Sequence, residues 1–150
     1  MMTESNDVPT AFQAFTEISI IEQLSRNELE RQLPNGLKMS QFGVLNHLDR
    51  LGGEWSPLRL ANAFQVTKGA MTNTLQRLEK RGLINIQSDP NDGRGKLVSL
   101  TKLGRETRHV CIKSVGSLLA DISNEISDEE LAEIIPMLQK LRKFLDERRS

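Results

Sequence analysis

Seven positions in one short stretch carry the residue types that read a polyanion with hydrogen-bonding edges: Thr67, Lys68, Gly69, Thr72, Asn73, Gln76 and Arg77. At helical spacing, Lys68, Gly69, Thr72, Asn73, Gln76 and Lys80 fall opposite an apolar face of Met71, Leu75 and Leu78, with Arg77 at the edge. The chemistry they offer is recognition, with no bond made or broken. Threonine and asparagine donate to and accept from base edges, and a threonine methyl or Ala70 can touch a thymine methyl. Small residues at the helix start allow close approach, and Lys68 and Arg77 suit phosphates. Glu79 is the only carboxylate from 67 to 82. A solvated amphipathic helix has the same periodicity, so this face needs a second feature to give it meaning.

That feature comes at Asp89-Pro90-Asn91-Asp92-Gly93-Arg94-Gly95, a run dense in turn formers. Asp89-Pro90 starts a turn, Asn91 and Asp92 can stabilise it through their side chains, and Gly93 permits positive φ. Arg94 is expected at the tip of this loop, with Lys96 at the start of the returning strand. An arginine on a thin projection suits a narrow minor groove, where the potential is most negative. The competing reading is an ordinary hairpin whose arginine pairs with Asp92 or Asp89.

Charge distribution favours the polyanion. The chain is neutral overall, with 20 basic and 20 acidic residues. Residues 56–105, however, hold nine basic residues (Arg59, Lys68, Arg77, Lys80, Arg81, Arg94, Lys96, Lys102 and Arg105) against Glu79, Asp89 and Asp92. A basic middle in an acidic frame focuses a polyanion onto one surface.

Other chemistries find little support. The two histidines, His47 and His109, are far apart, and no Cys/His cluster has metal-ligand spacing. Neither a phosphate-cradling glycine loop nor a nucleophile elbow is present. The expectation is a non-enzyme with no cofactor and no metal. Cys111, the one cysteine, cannot form an internal disulfide and reads as a buried small hydrophobe. No apolar run approaches the roughly 18 residues of a membrane span, and no secretory signal is visible, so a cytoplasmic protein without membrane contact is expected.

The elements that must position these residues emerge from periodicity and punctuation. Residues 1–9 read as a polar tail. Phe12, Phe15, Ile18, Ile21 (or Ile20), Leu24, Leu29 and Leu33 mark a long helix, stopped by Pro34-Asn35-Gly36. Ser40 is the expected N-cap of a second helix ending at Leu51. Trp55 reads as part of a minimal strand, and Ser56-Pro57 as a cap and first position for a short helix, Leu58 to Phe64. Thr67 opens the next helix, which ends at Gly82. Two strands come next, at 83–88 and 96–100, with Ile84/Ile86 and Val98/Leu100 each sharing a face. Thr101 caps a long helix to about Glu125. Ser127-Asp128-Glu129-Glu130 has the form of a capping box, and opens a last helix to about Glu147, which Pro136 is expected to kink.

A short helix, a tight turn, a second helix and a hairpin make a winged helix-turn-helix. The stretch from Leu60-Ala61-Asn62-Ala63-Phe64 through Thr67-Lys68-Gly69-Ala70-Met71-Thr72-Asn73 to Arg81-Gly82-Leu83-Ile84, then Asp89-Pro90-Asn91-Asp92-Gly93-Arg94 closing on Val98-Ser99-Leu100-Thr101, resembles the MarR family of regulators. The likeness covers about 38–104 by motif, and element order extends it to the whole chain. It implies a homodimer with interlocking terminal helices, each subunit placing its 67–81 helix in the major groove and its wing in the minor groove. It also implies a small-molecule effector, with His47 and Arg50 as candidate polar linings. Many members carry two basic residues at the wing tip, where this chain has Gly93-Arg94. Thiol-sensing members carry their cysteine in the first helix, and this first helix has none.

The expected architecture is thus mainly α with a small β-hairpin wing and about six helices, in a single domain, 1–150. Its winged lobe is 38–104, and its dimerisation helices are 10–33 and 105–147. The apolar faces Phe12/Phe15/Ile18 and Leu131/Ile134/Ile135/Leu138/Leu141/Leu145 exceed what a thin two-helix layer needs, and read as a dimer seam. The expected function is a sequence-specific DNA-binding transcription regulator, a repressor, binding a pseudo-palindromic operator in double-stranded DNA. The alternative is a winged-helix protein-interaction module, against which Lys68, Arg77, Arg94 and Lys96 count.

Overall fold

The computed structural model describes residues 7–149, so that of the expected polar tail residues 1–6 lie outside the described residues. The chain divides into two compact units between Ser114 and Val115.

The first unit begins with α1 (Thr10–Gln32) and a 3-10 turn at Pro34–Gly36. Asn35 takes left-handed φ of 57° there, which reverses the chain. Then come α2 (Met39–Leu51), α3 (Pro57–Phe64), α4 (Lys68–Lys80), the hairpin β1 (Ile84–Asp89) and β2 (Asp92–Leu100), and α5 (Lys102–Ser114). Its core includes Leu37, Val44, Leu45, Leu48, Leu60, Met71, Leu75, Leu78, Ile84, Val98 and Cys111, one contribution or more from each element between the 3-10 turn and α5. The amphipathic faces read from the sequence supply these residues: Met71, Leu75 and Leu78 are the buried face of α4, as spaced. Ile84 pairs with Leu100 and Ile86 with Val98 in the antiparallel register. Trp55 makes a one-residue bridge to Val98, a minimal third strand.

The start of α2 differs from expectation. Ser40 is not the cap, because the helix has already begun at Met39. Two side chains satisfy the amides at its start, one from within the helix and one from α1. The Gln41 side chain accepts from Lys38 N at 3.1 Å, and Glu30 of α1 accepts from Met39 N at 3.0 Å. That amide is the main reason the Glu30 carboxyl titrates below its ordinary value.

The single helix expected from 101 to 125 is two, α5 and, in the second unit, α6 (Gly116–Glu125), so the described residues hold seven α-helices. Val115 leaves helical geometry at φ −95°, ψ 2°. The Ser114 hydroxyl donates to Cys111 O at 2.7 Å and competes for the helical ladder, and Gly116 has low helix propensity. The second unit ends in α7 (Asp128–Glu147), opened by the expected box: Ser127 Oγ accepts from Glu130 N, and Glu130 accepts from Ser127 N. It continues through Pro136.

Two apolar faces stay uncovered. No residue of α1 or α7 is buried. Phe12 is 62% exposed on α1, and Ile134, Ile135, Leu138 and Leu145 are all exposed on α7.

Candidate nucleic-acid interface

The pair α3–α4 is built by local chemistry that the sequence announces. Ser56 Oγ accepts from Arg59 N at 3.1 Å with Pro57 at the first helical position, and Thr67 Oγ1 accepts from Ala70 N at 3.1 Å. Between the helices Gln65 takes left-handed geometry at φ 57°, ψ 39°, and Val66 N closes the turn on Ala61 O at 3.1 Å.

All seven α4-region positions singled out in the sequence lie on the exposed side: Thr67, Lys68, Gly69, Thr72, Asn73, Gln76 and Arg77. Their hydrogen bonds restrict what each can offer. The Thr72 hydroxyl donates to Lys68 O at 2.9 Å, so its outward face is a lone pair and a methyl. Asn73 Oδ1 accepts from Arg77 Nε at 3.4 Å, a weak link one turn along the helix. A methyl on Gly69 would meet nothing within 4 Å, so no packing in this chain calls for glycine there.

The wing differs from the expected seven-residue loop. The turn is only Pro90-Asn91, with Asp89 paired to Asp92. Asp89 accepts from Asn91 N at 2.8 Å and Asp92 from Arg94 N at 3.1 Å, which closes the chain early. Ser88 pairs with Lys96, so Gly93, Arg94 and Gly95 have no facing residue on β1 and form a bulge in β2. Arg94 is therefore exposed on a strand bulge between two glycines and not at the loop tip, and the carboxylate of Asp92 aims its backbone. Lys96, also exposed, alternates on the face of Val98 and Leu100.

Of the nine basic residues between 56 and 105, only Arg105 takes part in an ion pair among the described residues. Arg105 and Arg108 both reach Asp49 of α2, at 3.1 and 2.9 Å, and Arg108 Nε also donates to Asn46, bracing α5 on α2. Glu79, Asp89 and Asp92 neutralise none of the others, so the pair of helices and the wing carry a field of unmatched positive charge.

One cluster escaped the sequence reading. The His47 ring stands edge-on to Trp55 with centroids 4.5 Å apart and tilted against Phe64 at 5.2 Å, while the Arg59 guanidinium lies over the Trp55 ring, 4.1 Å from its centroid. The signal was present in the Trp55-Ser56-Pro57-Leu58-Arg59 spacing, which brings residue 59 back over residue 55. Of the two residues named as effector linings, His47 is in this cluster and Arg50 is exposed. His47 Nε2 is buried without a hydrogen-bond partner among the described residues. Desolvation, then the charges of Arg50 and Arg59, push the imidazole below its ordinary value of about 6.5. As pH falls through about 6.5, the unfolded chain takes up a proton before the folded one, and stability is lost until the folded imidazole also titrates. We expect thermal melts to fall between neutrality and mildly acidic pH, and His47→Phe to flatten that fall. Equal slopes in the two proteins would refute it.

Cys111 is fully buried, and burial raises its thiol above the ordinary value, which keeps it protonated and poorly nucleophilic. No group of His, Cys, Asp and Glu able to hold a metal occurs among the described residues, and none of their helices is long and apolar enough to cross a membrane.

Residues 35–95 match the model of the MarR family. The fold is shared with solved structures across nearly the whole chain. Apo MarR of E. coli is 29% identical, with 89% of this chain and 96% of that one covered and a TM-score of 0.74. A cysteine-to-serine variant of E. coli MarR complexed with operator DNA is 27% identical, with coverage of 93% and 99% and a TM-score of 0.75. The transcriptional regulator BldR of Sulfolobus solfataricus is 26% identical, with coverage of 97% and 99% and a TM-score of 0.73.

Proposed function

We propose, from the match of residues 35–95 to the MarR family model and the shared fold, that the protein is a sequence-specific DNA-binding repressor acting as a homodimer on a pseudo-palindromic operator. The observation that carries the reading is the unmatched positive charge on α3, α4 and the wing, on a fold shared with a MarR that binds operator DNA. In this reading α4 enters the major groove. Thr72, Asn73 and Gln76 meet base edges, Thr67 and Gly69 allow the approach, and Lys68 and Arg77 hold phosphates. Arg94 and Lys96 carry the wing to the minor groove and its flanking phosphates. The protein is no enzyme in this reading. The family resemblance extends it to a small-molecule effector.

Dimerisation is supported by the exposed apolar faces of α1 and α7, since rows of large hydrophobic side chains left in water mark interaction surfaces. Light scattering at micromolar concentration should give a dimer, and a folded monomer would defeat the proposal. Footprinting on DNA flanking the protein's own gene should protect two inverted half-sites with centres about one helical turn, roughly 34–36 Å, apart. Protection of a single half-site, or none, would count against a two-fold regulator.

A further inference from the structure

Arg59 contributes to none of the contacts assigned above, yet its guanidinium is held over the Trp55 ring, 4.1 Å from the centroid. We propose that Arg59 is a pre-set anchor for a DNA backbone phosphate, positioned by the Trp55 indole between the recognition helix and the wing. This rests on the DNA-binding reading above.

The platform is fixed from several sides. Trp55 Nε1 donates to Gly52 O at 2.9 Å. Its backbone exchanges both hydrogen bonds with Val98, at 2.9 and 2.8 Å, and its ring takes the edge contact of His47. The guanidinium over this ring is exposed and makes no ion pair among the described residues. A cation over an aromatic face uses the charge but none of its N–H donors, which stay free in the guanidinium plane. That planar fork matches phosphate oxygens, and a side chain already held in place loses less freedom on binding.

Its place on the fold fits the same partner. In a helix-turn-helix the second helix enters the groove while the first crosses the sugar-phosphate backbone. Arg59 lies in the first turn of that first helix, on the side away from buried Leu60 and Ala61. Through the bridge from Trp55 to Val98 it is also tied to β2, the strand that carries Arg94 and Lys96. A phosphate gripped there would fix the spacing between the groove-reading helix and the wing.

The test is a set of filter-binding titrations on a mixed-sequence duplex longer than two helical turns, at several salt concentrations, beside thermal melts. Arg59→Gln keeps the stem and removes the charge. It should lower the salt slope by about one per subunit and weaken binding about three- to tenfold, while melting near wild type. Trp55→Phe, which keeps an aromatic platform, should bind close to wild type. Trp55→Leu should weaken binding, and adding Arg59→Gln to it should cost less than it does alone. If Arg59→Gln lowers the melting temperature but leaves slope and affinity unchanged, the arginine only shields the indole and the inference fails alone. If the wild type binds no duplex with measurable salt dependence, the DNA-binding reading fails and takes this one with it.

Discussion

Gly104→Ala is expected to cost about 3 kcal/mol or more of folding stability and to abolish DNA binding at physiological temperature with it. Gly104 is buried in the first turn of α5. A methyl there would lie 2.0 Å from Leu83 O, 3.0 Å from Leu83 C and 2.7 Å from Leu100 Cδ1. Two of these are backbone atoms at the base of the hairpin, and they cannot step aside. Leu83 O accepts from Thr101 N at 3.2 Å, while Thr101 Oγ1 donates to Gly82 O at 2.7 Å and accepts from Gly104 N at 2.9 Å. Moving α5 outward would break these bonds together. Gly69→Ala is the matched control. Its methyl meets nothing, so stability should hold or rise by about 1 kcal/mol from helix propensity, while DNA affinity falls because the groove-facing surface has grown. Urea denaturation of both variants checks this. A wild-type midpoint for Gly104→Ala would mean the helix-to-strand approach is looser than these distances require.

Asn73→Ala should weaken binding to the footprinted operator by about 1–3 kcal/mol and binding to random duplex much less, because an amide on a base edge carries sequence information and a phosphate contact does not. The weak link from Arg77 Nε to Asn73 Oδ1 complicates the experiment, since removing the amide also frees the arginine. Arg77→Ala and the double variant separate the two effects. Loss of Asn73 should change the operator-to-random ratio, and loss of Arg77 should weaken both duplexes alike and lower the salt slope. Arg94→Ala belongs with Arg77→Ala, weakening all sequences and reducing the slope by about one per subunit. Equal weakening of both duplexes by Asn73→Ala would remove α4 as the base reader. An unchanged slope for Arg94→Ala would take the wing off the DNA.

Much of this fold was legible because local chemistry and global packing agree in it. The caps at Ser56, Thr67, Thr101 and Ser127, the stop at Gly82 and the buried face of α4 all lie where spacing puts them. The failures are places where a hydrogen bond or ring contact that residue type alone does not specify overrode a local signal. Ser40 is a good cap by type, but Glu30, nine residues before Met39, reaches its amide and starts the helix sooner. The loop 89–95 is rich in turn formers, but two aspartates close it at Pro90-Asn91 and leave the remainder as a bulge. The stack of His47, Trp55 and Arg59 joins residues from α2, the bridge strand and α3, and only its Trp55–Arg59 half lies within one segment.

Trp55 is the one tryptophan, and the chain has no tyrosine. Its indole is the sole strong near-ultraviolet chromophore of the molecule, and it is clasped between an imidazole edge and a guanidinium beside the wing. Intrinsic emission from the unlabelled protein is therefore a one-site gauge of the joint between α3 and β2. Protonation of His47, withdrawal of Arg59 towards an anion, and separation of Trp55 from Val98 each alter the quenching or the polarity at that ring, so events at this joint can be tracked in real time by wavelength and lifetime without a dye.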